Sequence, residues 1–162
     1  MFDATSRLFA SLAALGINPK METFGERKRV QKTVYLLDKV FGLNFGYNFS
    51  WYLHGPYSSQ VTQIIYDVVE GRKTVDQQTT SLSSEDTYKI ECLKAFLKDD
   101  LNVNDQLELL VSVDYLLNCI VNPQNIAPTD HEIIEFLNLK KPWFSNEEIQ
   151  VAIHRMRALK RK

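Results

Sequence analysis

Residues Leu43–Ser58 read LNFGYNFSWYLHGPYS, and this stretch decides the fold because it interrupts a chain patterned almost throughout for helices. Tyr47, Phe49 and Trp51 alternate with Asn48, Ser50 and Tyr52, the period-two pattern of a strand covered on one face, so a strand is expected over 47–53. Gly55-Pro56 closes it, since proline fixes its own φ and disfavours helix at the residue before it. Ser58 then stands where an N-cap belongs, ahead of Val61, Ile64, Ile65 and Val68 at helical spacing, and Gly71 ends that helix.

Upstream, Leu8, Phe9, Leu12 and Leu15 recur at helical spacing and stop at Gly16. Thr23 and Glu26 form a capping box that opens a second helix carrying Val30, Val34, Leu37 and Phe41 and ending at Gly42. Its other stripe, Lys28, Lys32, Tyr35 and Lys39, reads as a solvated face. Downstream, the polar interval 72–84 reads as a loop with a short strand at 73–75 that pairs with the first. Helical patterning resumes at Ser84 with Ile90, Leu93, Phe96 and Leu97, and Asp99-Asp100 oppose the helix dipole at its end, which predicts a loose terminus. Asn104 is the expected cap of the next helix, whose Leu107, Leu109, Leu110, Val111, Val113, Leu116, Leu117 and Ile120 mark it as the central, buried one. Thr129 with Glu132, and Ser145 with Glu148, open the last two helices, separated by Pro142. The expectation is a mainly α fold, a compact bundle of about six to seven helices with a small β element around residues 47–53 and 73–75, in one domain over 1–162.

The 162 residues, 44% hydrophobic and 24% charged, have an ordinary globular composition, neither disordered nor fibrous. Cys92 and Cys119 lie in apolar helical patterns without CxxC spacing, which points to a reducing, cytoplasmic setting and away from zinc. The N-terminal apolar stretch is short and broken by polar residues, unlike a secretory signal. The longest apolar run, Leu107–Val121, contains Glu108 and Asp114 and is shorter than the roughly 20 residues a bilayer requires. Net charge is −1 but unevenly spread, with an acidic middle over 85–154 and five basic groups after residue 154. A broad phosphate-binding surface is therefore not expected, and nucleic acid is restricted to the basic helix 26–41 and the basic C-terminus.

No catalytic or metal motif stands out. His54 has no Ser, Cys or carboxylate beside it to complete a catalytic set, and His131 and His154 lack metal-ligand spacing. Gly42, Gly46 and Gly55 match no phosphate loop. Asp114, inside the most apolar helix, is either turned outward, paired with a base such as Arg29 or Lys32, or a perturbed catalytic carboxylate. Tyr47, Phe49, Trp51, Tyr52 and Tyr57 read as core aromatics in preference to a stacking platform. Tyr52, His54 and Tyr57 are the candidate partner-binding residues, since aromatic anchors dominate protein interfaces. Lys28, Lys32, Lys39, Arg155, Arg157, Lys160 and Arg161 are the candidate contacts to nucleic acid or an acidic partner. No catalytic residue, metal ligand or cofactor is assigned.

The run Gln31-Lys32-Thr33-Val34-Tyr35-Leu36-Leu37, followed by Phe45-Gly46-Tyr47-Asn48-Phe49-Ser50-Trp51-Tyr52-Leu53-His54-Gly55-Pro56-Tyr57-Ser58, resembles the signature of the YwgA-like proteins and the related SocA-like (Panacea) antitoxin domain. There a helix reading QKLxYLL precedes a strand reading YxFxxYxxGPYS and a further helix. The likeness is carried by residues 27–70, with only a general helical continuation over 84–161. It implies a small cytoplasmic protein of prokaryotes or phage, mostly helical with a small β element. In its antitoxin branch it implies a non-enzymatic interaction module, an antitoxin or phage-defence component that binds a toxin or hands it to a protease. The alternative from the residues is a nucleic-acid-binding regulator. Gln31, Tyr35 and the GPYS turn are expected to form a polar cluster where the second helix meets the strand end.

Overall fold

The computed structural model describes residues 3–75, 82–118 and 126–159. Seven α-helices lie among them: α1 (Ala4–Ala14), α2 (Phe24–Tyr35), α3 (Ser59–Val69), α4 (Ser84–Leu97), α5 (Asn104–Asn118), α6 (Asp130–Lys140) and α7 (Asn146–Ala158). Two short strands, β1 (Ser50–Tyr52) and β2 (Gly55–Tyr57), form an antiparallel hairpin. The fold is thus a mainly α bundle with one small β element.

Local chemistry sets most helix starts. Asp3, Thr23, Ser58, Ser83, Thr129 and Ser145 each accept a hydrogen bond from a first-turn N–H of α1, α2, α3, α4, α6 and α7, a contribution of about 1 kcal/mol apiece. At α2 the reciprocal bond, from the Thr23 N–H to the Glu26 carboxylate, completes the box. Asn104 does something else: its amide donates to the Gly25 carbonyl at 3.1 Å and its oxygen accepts from Arg29 at 3.3 Å, tying the start of α5 to α2.

The apolar stripes meet as expected. Leu107, Leu109, Leu110, Val111 and Val113 of α5 are fully buried, and this helix packs against both α2 and α7. Met156 at the end of α7 is buried too, so the apolar stripe reaches the core up to its last turn. Asp100 lies in a 3₁₀ turn (Lys98–Asn102) after α4, and the dipole-opposed carboxylate is held by Arg155 at 2.7 Å. Arg7 of α1 bonds both oxygens of Asp86 on α4 at 2.7 Å and the Leu43 carbonyl at 2.7 Å. The Arg7 guanidinium holds the Asp86 carboxyl below its usual value.

Three expectations need correction. No strand forms at Lys73–Val75; β1 pairs instead with β2, in the register Ser50–Tyr57, Trp51–Pro56 and Tyr52–Gly55. Gly55, at φ +87°, turns the chain back after only two intervening residues, so the nearest partner is local. The strand is also shorter than 47–53. Burial does alternate from Tyr47 on, but the Tyr47 N–H goes to Asp38 Oδ2 at 2.9 Å and the Asn48 N–H to Gln60 Oε1 at 2.8 Å, not to a neighbouring strand. Finally, Lys32 and Tyr35 are buried and not solvated, because α2 is covered by α3, α5 and β2 at once. After Tyr35 the helix widens into a π turn, Leu36–Val40, which aims Asp38 inward to receive the Gly46 and Tyr47 N–H groups.

Candidate functional site at the hairpin

The sequence signature folds into one polar junction. Gln31 clamps Ser58 from both sides: its oxygen accepts from the Ser58 N–H at 2.9 Å and its amide donates to the Ser58 carbonyl at 2.8 Å and to Thr62 Oγ1 at 2.8 Å. Tyr57 completes the group through its hydroxyl contact with Thr62 at 2.9 Å. Tyr35 does not join it. Its hydroxyl donates to Asp114 Oδ2 at 2.7 Å, and the Asn118 amide donates to the other oxygen at 3.0 Å.

One residue further along α2, Lys32 lies behind the hairpin, 2% exposed, and donates to the Pro56 carbonyl at 2.7 Å. Burial pulls its amine down to about 7, against the opposing pull of Glu108. Glu108, 1% exposed on α5, is the hub of a charged cluster. Lys141 Nζ lies 3.1 Å from its Oε1, His54 Nδ1 3.4 Å from the same atom, and Lys28 Nζ 3.3 Å from its Oε2. Lys141, 1% exposed and just before Pro142, also stands over the rings of Trp51 and Trp143, each at 5.5 Å. Burial lowers the Lys141 amine as well. Two hydrogen-bonding atoms in the region are left without a hydrogen-bond partner, Glu108 Oε2 and Ser112 Oγ.

A pocket of about 210 Å³ opens on this cluster between α2, the hairpin and α3. Arg27, Lys28, Lys32 and His54 supply its basic groups, and no carboxylate lines it. Phe24, Tyr52, Tyr57 and Tyr66 supply the aromatic walls, with Phe24 edge-on to His54 at 4.9 Å and Tyr52 against Tyr57 at 5.6 Å.

The structure therefore brings together Tyr52, His54 and Tyr57 with Lys28 and Lys32. The remaining basic residues lie elsewhere: Lys39 beside Asp38 at 3.5 Å, Arg155 on Asp100, and Arg157 on Asp130 at 2.7 Å. Lys160 and Arg161 lie outside the described residues. Sequence reading missed Glu108, Lys141 and Ser112. Glu108 carried a signal, being a carboxylate in a helix apolar nearly all round, which has to find a cation. Among the described residues no group of His, Cys, Asp and Glu is placed to hold a metal ion, and no helix is long and apolar enough to cross a membrane. Comparison with protein-family models, curated proteins and solved structures finds no match for this chain.

Proposed function

We propose that this chain is a non-enzymatic protein-interaction module that docks a partner protein on the hairpin face, as its resemblance to SocA-like antitoxin domains implies. One observation carries the reading. Phe24 and Tyr52, 52% and 59% exposed, both line the basic pocket, and Leu53, next to Tyr52 in the hairpin turn, is 74% exposed. Large apolar side chains gathered on an exposed patch and rimmed by polar groups mark an interaction site, and aromatic residues supply most interface anchors. The partner of an antitoxin-type module is a toxin or another defence protein.

The test is affinity capture from the native host with the intact chain and with a Tyr52→Ala, Leu53→Ser double variant, comparing circular dichroism to establish that both fold. A partner retained by the first and lost by the second supports the hairpin face. Equal retention by both overturns it. The nucleic-acid reading finds less support, because Lys28 and Lys32 are turned into the pocket and both Arg155 and Arg157 are paired with carboxylates.

A further inference from the structure

The charges behind the hairpin do not balance. Two amines, Lys28 and Lys141, meet one buried carboxylate, Glu108, and a third, Lys32, lies near enough to feel all three; the other acid touching the group, Asp105, is 75% exposed at 3.4 Å from Lys28. The charges acting on Lys32 are Glu108 on α5, Lys141 after α6 and Lys28 on its own helix, and His54 on the hairpin stands 3.4 Å from Glu108. Burying excess cations is unfavourable unless a counter-charge arrives, and here the cluster forms part of the wall of an open pocket.

We propose that this pocket binds a carboxylate, carried by an acidic side chain of the protein partner. The inference rests on the docking face proposed above and names the chemistry of its anchor. Size supports it: about 210 Å³ is the space of about seven water molecules, short of the roughly 300–1,000 Å³ that holds a drug-sized ligand, and it suits a single side chain. Lining chemistry supports it too, since Tyr57 and Tyr66 bring hydroxyl groups and the basic residues bring charge, with no acid among the lining residues.

The experiment titrates the intact ¹⁵N-labelled protein with acetyl-Glu-Glu-Glu-amide, its all-Gln counterpart, inorganic phosphate and a short single-stranded DNA. Saturable shifts of the Gly55, Tyr57 and Thr62 amides with the Glu peptide alone are expected. Lys32→Met should weaken that binding about tenfold, and Lys28→Gln, whose side chain is nearer solvent, should weaken it in the same direction. From pH 8 to pH 6 the affinity should rise up to about tenfold, in His54→Gln as in the unaltered chain, and not in Lys32→Met. Should Lys32→Met fail to fold, Lys28→Gln decides. Equal binding of the Gln peptide, tighter binding of phosphate or DNA at the same amides, or unchanged affinity in the lysine variants overturns the carboxylate site. Silence with all four probes also overturns it, while leaving the capture experiment to judge the docking face on its own.

Discussion

Gln31 and Lys32 are neighbours in one helix, both nearly inaccessible to solvent, yet they close their surroundings differently. Both functional atoms of Gln31 are spent on Ser58 and Thr62, and the bonds are reciprocal, so the start of α3 is fastened to α2 with nothing left over. Lys32 has one short bond to Pro56 and, among the described residues, no carboxylate in contact with it, Glu108 being held by Lys28 and Lys141. A saturated polar cluster fixes geometry; an unsaturated one stores capacity for a ligand. The difference separates the part of the signature that is spent on the fold from the part that the proposed binding would use.

The comparison breaks most visibly at Gln31. Gln31→Ala leaves the buried N–H of Ser58 unpaired, at about 1–3 kcal/mol, while the Ser58 carbonyl keeps the Thr62 N–H at 3.3 Å; with the cavity left by the side chain, urea unfolding should show a loss of about 3–5 kcal/mol. A loss under about 1 kcal/mol would make the clamp ornamental. Next comes Gly55→Ala. An added Cβ would stand 2.5 Å from Ser112 Oγ, at a φ of +87° that side chains resist, and about 2–4 kcal/mol should be lost. Ser112→Gly in the same chain should recover part of it, and no recovery would place the strain in the backbone alone.

Lys32→Met removes a buried amine but leaves the buried Pro56 carbonyl unpaired, so the two effects offset and stability at pH 7 should change by about 1 kcal/mol or less. The pH dependence has a definite sign. With its amine lowered from 10.5 to about 7, the folded protein binds fewer protons than the unfolded chain between those values, so Lys32 makes stability rise with pH across that window. Urea midpoints at pH 7 and pH 9.5 should therefore converge in the variant, and an unchanged difference would assign the slope to another group. A comparably small loss belongs to His54→Ala, about 0.5–1 kcal/mol from the edge contact with Phe24. A loss above about 2 kcal/mol would identify His54 as a counter-ion that Glu108 requires.

Much of the fold was legible in the sequence because short-range chemistry governs it. The caps at Thr23, Ser58, Thr129 and Ser145, the apolar stripes of α5 and α7, and the alternation from Tyr47 to Tyr52 all act within a few residues. The misreadings share a different cause. Helical spacing shows that Lys28, Lys32 and Tyr35 form a stripe, but not that α3, α5 and β2 cover α2 from several directions. Asp114 left three readings open, turned outward, paired with a base such as Arg29 or Lys32, or a perturbed carboxylate, and the hydroxyl it meets is that of Tyr35, 79 positions away. The candidate site was half legible for the same reason: Tyr52, His54 and Tyr57 sit together in the chain, whereas Lys141 reaches Glu108 across 33 positions.

The π turn at Leu36–Val40 bears on how such a chain tolerates insertion and deletion. A π turn holds one residue more than the α turn it replaces, so it is equivalent to a single-codon insertion retained in the gene. Removing that residue would restore regular helix but swing everything after it by about 100° around the axis. Asp38 would leave the Gly46 and Tyr47 N–H groups, and the segment leading into the hairpin would lose its tether. The extra residue and the loop it holds are thus heritable only as a pair, and a lineage that drops one must find another acceptor for the other.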